Sequence, residues 1–171
     1  MKIYIRHGVK EYTNNPNMKH GYDAKLKEQH LQDIYSKFEY IKNKYGIPTR
    51  IVCSPYFRTR QTAQIASEVM YNEHKIKIDP HLGEYLGNHP NKSLINACRE
   101  CTLTHGAYHG GKMPSFMRQI KRHLRRQYSG YTIFISHGFT IKQIASELGL
   151  NMNHPSEVCG FVTTDDDIYE I

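Results

Sequence analysis

Short apolar runs alternate along the chain with longer stretches in which apolar residues recur every three or four positions. Short runs bounded by turn-forming residues are typical of buried strands. One such run, Ile3 to Ile5, opens the chain, and the run from Tyr131 to Ile135 has the strongest strand character. The pattern predicts six strands in all, at 3–5, 50–53, 75–79, 131–135, 158–164 and 168–171.

The longer stretches predict amphipathic helices, because a period of three to four residues places apolar side chains on one helix face. The first helix is predicted within 22–45, with its apolar face starting at Leu31, and Gly46 and Pro48 end it. Three further helices are predicted: one with its apolar face over 62–70, one over 116–128 with Ser115 as N-cap and Gly130 as its end, and one over 141–148.

Strands that alternate with amphipathic helices predict an α/β fold, a three-layer α/β/α sandwich with a mostly parallel central sheet covered on both faces. A length of 171 residues suits one domain with its own core, so we expect a single domain over 1–171. The periodicity disappears from 80 to 112, apart from a short helical pattern at 93–99. Long loops in compact domains are usually functional, and we expect a loop or cap segment at about 80–112.

The composition excludes a membrane-spanning chain. Apolar residues make up 39% of the sequence, the mean hydropathy is −0.66, and no apolar run approaches the roughly 20 residues that cross a bilayer. The sequence shows no secretory signal at its start, so the four cysteines favour a reducing, cytoplasmic location over a disulfide scaffold.

The net charge of +7 comes from one part of the chain. Residues 101–146 contain seven Lys and Arg but no Asp or Glu, and the other 16 basic residues balance the 16 acidic ones. Such a stretch can contact nucleic acid, draw in an anionic substrate or form a solvated face. Nucleic-acid binding through the basic 112–126 segment stays an alternative, although no aromatic residues suited to base stacking are interleaved with its charges.

Residues with catalytic potential follow three of the predicted strands. Arg6 and His7 follow the first strand, Arg58 lies shortly after the second, and His137 follows the strand at 131–135. In a parallel α/β sheet, ligands bind outside the carboxyl ends of the strands. We therefore expect these side chains to meet along one edge of the sheet.

A pocket with two histidines and two arginines suits a phosphate group. A neutral imidazole is a nucleophile toward phosphorus, and guanidinium groups bind phosphoryl oxygens through paired donors. The reaction also needs a proton donor for the leaving oxygen, and Glu84, just past the third predicted strand, can reach this edge. This chemistry requires neither a metal nor a cofactor.

These residues fall in four blocks that resemble the motifs of the histidine phosphatase superfamily, also called the phosphoglycerate mutase-like family. The blocks are Arg6-His7-Gly8, Ser54-Pro55-Tyr56-Phe57-Arg58-Thr59-Arg60-Gln61-Thr62-Ala63, Leu82-Gly83-Glu84 and Ser136-His137-Gly138, in the family's order and over nearly the whole chain. The resemblance implies a phosphoglycerate mutase-like fold with His7 as the phosphorylated nucleophile. It further implies that Arg6, Arg58 and His137 bind the phosphoryl group and that Glu84 is the acid and base.

Departures from the family pattern narrow the expected function. Val9 and Lys10 stand where mutases and many phosphatases carry Glu or Gln followed by Ser or Thr. Mutases are longer, so a chain of 171 residues favours hydrolysis. Gly138 follows His137 where some members have an aspartate proton donor, which leaves that role to Glu84. We therefore expect a phosphatase that hydrolyses a phosphomonoester, on a small molecule or a protein, with mutase-type phosphoryl transfer as the alternative.

A metal site and a non-catalytic phosphate-binding protein are alternatives to the phosphatase. Spacings of three and four would place a set of thiols and imidazoles on one helix face, where they could bind zinc: Cys98, Cys101, His105 and His109. A zinc finger, however, separates its Cys and His pairs by about a dozen residues, so we expect ordinary thiols and no metal. A non-catalytic phosphate-binding protein would usually have lost the nucleophile or an arginine, and neither is lost. The sequence leaves the oligomeric state open.

Overall fold

The computed structural model describes residues 1–11, 24–71, 76–85 and 113–171. It contains the strands β1 (Lys2–Arg6), β2 (Arg50–Cys53), β3 (Lys77–Ile78), β4 (Thr132–Ser136), β5 (Gly160–Thr163) and β6 (Ile168–Glu170). They form one sheet in the order β3-β2-β4-β1-β5-β6. Neighbours among β1 to β4 run parallel, whereas β5 runs antiparallel to both β1 and β6. The predicted α/β fold with a mostly parallel sheet is confirmed.

Helices cover both faces of this sheet. The structure contains α1 (Leu31–Tyr45), α2 (Phe57–Val69), α3 (Met113–Leu124) and α4 (Gly138–Glu147), with short 3₁₀ turns at Glu28–His30 and Pro80–Leu82. The core of one face comes from α1 and α2, and that of the other from α3 and α4. No helix in the described ranges combines the length and apolar character that a membrane span requires.

The central strands supply both cores at once, because successive strand residues point to opposite faces. Ile3 and Ile5 of β1 join the core beneath α1 and α2, while Tyr4 between them joins the core beneath α3 and α4. The Tyr4 ring stacks between Phe134 and Phe161, with centroid distances of 4.7 and 4.8 Å. The apolar alternation of the sequence thus becomes a three-layer arrangement.

Helix α1 is shorter than the range 22–45 in which it was predicted, because it begins only at Leu31, where its apolar face starts. The described residues before the 3₁₀ turn are not helical. Leu26 pairs with Lys10 in a β-bridge, and its N–H donates to Gln61 Oε1 at 2.8 Å. Backbone groups that a helix would use internally are therefore committed to the loop after β1.

The prediction of Ser115 as an N-cap is wrong. Helix α3 begins at Met113, so Ser115 lies inside its first turn. The helix also ends at Leu124, earlier than the predicted end at Gly130. Tyr128 lies beyond the helix, where its hydroxyl bonds a buried carboxylate and its ring contacts the core. Tyr128 therefore reaches the core from the segment that follows the helix.

The third strand is the least well predicted of the six. The alternation at 75–79 predicts a strand of five residues, but β3 has only two residues and both are exposed. Ile78 keeps 46% of its surface in contact with solvent, because β3 is an edge strand with β2 as its one neighbour. The other strand boundaries lie within two residues of the predicted ones.

A buried carboxylate connects the end of β3 to the end of α3. Asp79 is fully buried and accepts hydrogen bonds from His81, from His123 Nδ1 at 2.9 Å, from Arg126 at 3.1 Å and from Tyr128 at 3.0 Å. Burial raises the pKa of Asp79, but the hydrogen bonds from His123 and His81 outweigh it and hold the pKa well below its usual value. The charged form of this carboxylate therefore stabilises the fold.

We predict that Asp79→Asn lowers the free energy of unfolding by about 3 kcal/mol near neutral pH, because it leaves buried donors without a charged acceptor. The pKa of Asp79 is depressed on folding, so its contribution is fully present above its unfolded pKa, near 3.8. It is lost as the pH falls toward the folded pKa. Urea denaturation at about pH 7 and about pH 3 should therefore show the difference between wild type and variant shrinking in acid.

The matched control is Asp33→Asn, which removes another carboxylate that bonds a histidine. The Asp33 side chain is 69% exposed and lies 3.0 Å from His30, so its loss should change the free energy of unfolding by less than about 1 kcal/mol. Equal losses in the two variants, or a loss for Asp79→Asn that stays constant into acid, would contradict a charged buried hub.

Candidate active site

The carboxyl ends of β1, β4 and β2, which are adjacent in the sheet, form the floor of the candidate site. Ladder hydrogen bonds continue past the strands here: the backbone N–H groups of His7 and Ser54 each donate to a carbonyl of β4 at 3.0 Å. Three of the predicted side chains leave these strand ends, namely His7, Arg58 and His137, and all three are buried. The parallel register therefore brings together residues that are far apart in the sequence.

The ring of His7 is held in one tautomer. Its Nδ1 lies 2.7 Å from the carbonyl oxygen of Gly8, which can only accept, so Nδ1 carries the hydrogen. Nε2 accepts a hydrogen bond from Arg58 Nε at 3.0 Å. Gly8 N–H donates to Thr62 Oγ1, and a Cβ at Gly8 would collide with Ile34. The glycine thus allows α1 to approach the turn that orients the imidazole.

The environment of His7 keeps this imidazole neutral. Burial is the largest cause that lowers its pKa well below the usual value, followed by the positive charge of Arg58 and the proximity of His137. The hydrogen bond to Gly8 and the charge of Glu84 act in the opposite direction but are smaller. His7 therefore presents an unprotonated Nε2 to the site over the physiological pH range.

Arg58 lies at the centre of a cluster that it forms with His7, Glu84 and His137. It has no solvent-exposed surface. Its Nε donates to His7, and one terminal nitrogen donates to Glu84 Oε2 at 2.6 Å and to His137 Nδ1 at 3.1 Å. The guanidinium carbon lies 4.5 Å from the ring centroid of Tyr56, close enough for a cation–π contact. The residue holds this position because it stands in the first turn of α2, directly above the end of β2.

His137 occupies the N-cap position of α4 with its ring turned into the site. Since Arg58 can only donate, Nδ1 of His137 is the acceptor in their contact and Nε2 carries the hydrogen, which lies toward Ser54 Oγ at 2.9 Å. The His137 ring lies edge-on to Tyr56 and 5.3 Å from the His7 ring. The two imidazoles thus face the same space from neighbouring strands.

Glu84 enters the site from the segment after the 3₁₀ turn at Pro80–Leu82. The carbonyls of Leu82 and Gly83 accept hydrogen bonds from Ser136 at 2.7 Å and from Thr140 at 2.8 Å, which fix this segment against β4 and α4. The Glu84 carboxylate forms an ion pair with the cluster's arginine and leaves 23% of its side chain exposed. It therefore connects the buried cluster to the solvent side.

Arg6 differs from the other predicted site residues. Its guanidinium donates to the Pro155 carbonyl at 2.8 Å and pairs with Glu157 at 2.8 Å. Within the described residues its hydrogen-bond partners are these two rather than the His7 and Arg58 cluster, and its buried Nε has no acceptor. Four of the five predicted residues thus lie in direct contact with one another, while Arg6 is held by the segment before β5.

Gly138 is explained by a residue that the sequence analysis did not single out. A Cβ at Gly138 would collide with the imidazole of His154, whose ring occupies the space beside the start of α4. Burial, followed by the charge of Arg6, lowers the pKa of His154. An aspartate cannot be accommodated at 138 without moving this ring.

Other supporting residues were also not predicted from the sequence, although two of them lie within a motif block. Ser54 and Thr62 belong to the block that contains Arg58, and each orients a histidine or its turn through a hydroxyl. Gln61 of the same block holds Leu26 through its side-chain oxygen. No comparable sequence signal identifies Glu157, because its partner Arg6 lies far away in the sequence and no local pattern relates the two.

The alternative of a metal site, which the sequence left open, involves residues that the structure does not describe. Cys98, Cys101, His105 and His109 lie outside the described residues, as does the short helix predicted at 93–99. In the described part of the chain, no group of three or more His, Cys, Asp or Glu side chains is arranged to hold an ion.

Sequence comparison identifies the family. The sequence model of the histidine phosphatase superfamily (branch 1) matches residues 3–158, which include every residue of the cluster. The chain belongs to this superfamily. No protein of curated function matches the sequence significantly.

Solved structures of other proteins support the same fold at low identity. A phosphoglycerate mutase from Bacillus anthracis superposes with a TM-score of 0.71 at 14% identity, over 99% of this chain and 90% of the mutase. A mycobacterial glucosyl-3-phosphoglycerate phosphatase gives 0.63 at 16% identity, over 98% and 95% of the two chains. A phosphoserine phosphatase from Entamoeba histolytica gives 0.60 at 15% identity, over 99% and 93%. The phosphoglycerate mutase-like fold predicted from the four blocks is confirmed.

We predict that Arg58→Gln raises the pKa of His7, because it removes the positive charge that is the second largest cause of the depressed value. The measurement is an NMR titration of the His7 ring nitrogens. In the wild type, Nε2 should take up a proton only at a pH below the usual range of histidine pKa values. In the variant, it should take up the proton at a higher pH than in the wild type.

Arg60→Gln is the control for this titration, because Arg60 stands on the same helix but is exposed and, in the described part of the chain, takes no part in the hydrogen bonds of Arg58 with His7, Glu84 and His137. It should leave the His7 titration unchanged. The same shift in both variants, or no shift in Arg58→Gln, would show that the contact with Arg58 does not set the pKa.

Proposed function

We propose that the protein is a phosphatase that hydrolyses a phosphomonoester through a phosphohistidine on His7. The observation that carries the proposal is the hydrogen bonding of the His7 ring. Nδ1–H is held by Gly8 at 2.7 Å, and the lone pair of Nε2 faces a guanidinium at 3.0 Å. A neutral imidazole with its nucleophilic nitrogen beside an arginine suits attack on a phosphoryl group.

In the first proposed step, the Nε2 lone pair of His7 attacks phosphorus, and the P–O bond to the alcohol breaks on the opposite side. The arriving phosphoryl group takes over the Arg58 Nε–H that His7 Nε2 otherwise accepts. The leaving oxygen takes a proton from Glu84. The negative charge of the bound phosphoryl group favours the protonated form of this carboxyl group, which otherwise pairs with Arg58 at 2.6 Å.

In the second proposed step, water attacks phosphorus and gives a proton to Glu84. The N–P bond breaks, its electron pair returns to Nε2, and inorganic phosphate leaves. The hydrogen bond from Nδ1 to Gly8 persists, and it stabilises the positive charge that the ring carries while it is phosphorylated. Arg6 and Arg58 bind the phosphoryl oxygens in both steps. His137 binds them as well in its doubly protonated form, because the Nδ1 that accepts from Arg58 must carry a hydrogen before it can donate to phosphate.

We further propose that residues 1–171 form one domain, in which about 80–112 is a loop or cap segment that follows β3 and includes Glu84. The substrate is a phosphorylated small molecule or a phosphoprotein in the cytoplasm, and the reaction uses no metal or other cofactor.

Three alternatives predict different experimental results. A phosphoglycerate mutase-type enzyme would move the phosphoryl group between positions of phosphoglycerate instead of releasing it. A non-catalytic protein would bind phosphate or vanadate without turnover. Nucleic-acid binding through the basic 112–126 segment would appear as retention on RNA or duplex DNA that weakens steeply with salt.

We predict that the purified protein releases phosphate from aryl or sugar phosphates between about pH 5 and pH 8, and that His7→Ala lowers kcat/KM at least about a thousandfold. Removal of the nucleophile abolishes the covalent route, so labelled substrate quenched in alkali should leave a phosphohistidine on the wild type but not on the variant. His30→Ala, which alters a partly exposed histidine in the 3₁₀ turn before α1, is the control and should retain activity.

Full activity in His7→Ala, or the absence of phosphate release from every substrate tested, would contradict the proposal. Transfer within phosphoglycerate, with little free phosphate, would assign the mutase reaction instead.

We further predict that Glu84→Gln slows hydrolysis of alkyl phosphates by about 10² to 10⁴, because glutamine cannot protonate the leaving oxygen. A nitrophenyl phosphate needs little protonation, since its leaving group is a weak base, so the first step on this substrate should slow much less. Burst kinetics separates formation of the phosphoenzyme from its hydrolysis. Glu39→Gln, on the exposed face of α1, is the control. Equal losses on both substrates in the rate of phosphoenzyme formation would contradict a role as general acid.

A further inference from the structure

The segment between α4 and β5 is connected to the start of the site by its backbone. Arg6 N–H donates to the Cys159 carbonyl at 2.9 Å, and Val158 N–H donates to the Arg6 carbonyl at 3.2 Å. These two hydrogen bonds fix the neighbouring Glu157 beside Arg6, although the two residues are far apart in the sequence. The ion pair between them is therefore a consequence of chain pairing and not of two flexible side chains meeting at a surface.

The backbone next to Glu157 is strained. Val158 has a φ of 57°, in the left-handed region that β-branched residues rarely adopt. Strain of this kind persists only where the surrounding structure enforces it, and it concentrates at functional sites. Here it follows directly after the carboxylate that pairs with Arg6, whose side chain is only 20% exposed.

The guanidinium of Arg6 is only partly used by its partners. An arginine carries five N–H donors. One terminal nitrogen donates to the Pro155 carbonyl and the other pairs with Glu157, both at 2.8 Å. The Nε–H is buried and has no acceptor among the described residues, and buried donors without acceptors are rare enough to need an explanation.

We propose that Glu157 is a positioning residue, which together with the Pro155 carbonyl holds the Arg6 guanidinium so that its remaining N–H groups bind a phosphoryl oxygen. The inference rests on the proposed function, because it assigns Arg6 an oxyanion to bind. A free arginine side chain would have to be immobilised when the phosphoryl group arrives, and this cost weakens binding. Two fixed acceptors remove that cost before the ligand enters, while the unpaired Nε–H is satisfied only in the complex.

The closing experiment measures vanadate and inorganic phosphate binding, which need no turnover, together with kcat and KM for an aryl phosphate. Glu157→Ala should weaken binding of both oxyanions and raise KM by about tenfold, a coupling typical of residues in one ion pair. Glu157→Gln keeps an acceptor oxygen, so it should restore part of the affinity. It also serves as the second variant if Glu157→Ala does not fold.

A double-mutant cycle shows whether Glu157 acts through Arg6. In an Arg6→Ala background, Glu157→Ala should change vanadate affinity by less than about twofold. Glu147→Ala is the matched control, because Glu147 also pairs with a basic side chain, Lys121 at 3.7 Å, away from the cluster. It should leave oxyanion binding unchanged.

Tighter oxyanion binding in Glu157→Ala or Glu157→Gln would overturn the proposal, since it would mean that this carboxylate competes with phosphate for Arg6. An equal effect of Glu157→Ala with and without Arg6 would overturn it as well, and so would a wild type that binds neither vanadate nor phosphate. Failure of the proposed function reads differently: His7→Ala would stay active or no substrate would turn over, while the oxyanion binding cycle still reports the coupling.

Discussion

The candidate site depends on one buried guanidinium. Arg58 has no exposed surface, and a buried charge is costly unless hydrogen-bonded partners surround it. Its partners among the described residues include His7 after β1, Glu84 after β3 and His137 at the start of α4. Because these acceptors come from three separate parts of the chain, assembly of the sheet edge brings them to the charge together. The fold and the site geometry are therefore determined together.

Glu84 shows how a segment without regular structure can place a side chain accurately. The segment is held at its beginning by Asp79, which accepts hydrogen bonds from residues at and beyond the end of α3. It is held next to Glu84 by hydroxyls of Ser136 and Thr140, which donate to its carbonyls. A carboxylate that must exchange a proton benefits from such fixed surroundings, because geometry then sets which atom receives that proton.

The sequence was informative wherever a residue's role depends on local pattern. Strand ends and motif blocks predict that His7, Arg58, Glu84 and His137 share one edge, and the structure brings them into contact; their chemical roles stay predictions. Partners that arise from long-range pairing left no such signal, as with Asp79 or with Glu157 beside Arg6. The start of α1 was misplaced for the same reason, since a tertiary hydrogen bond takes up the Leu26 N–H there. Likewise, α3 ends before Tyr128, whose hydroxyl binds Asp79. Propensity and periodicity do not contain those contacts.

The two arginines proposed to bind phosphate do not account for the net positive charge of the chain. The net charge of +7 comes from residues 101–146, yet each arginine assigned to phosphate is paired with a carboxylate, Arg58 with Glu84 and Arg6 with Glu157. On the proposed mechanism these carboxylates must behave differently. Glu84 contacts a fully buried guanidinium and lies 3.6 Å from His137, so an arriving dianion favours its protonation. Glu157, with 34% of its side chain exposed, pairs with Arg6 outside the cluster around Arg58, and so it can hold Arg6 throughout the reaction.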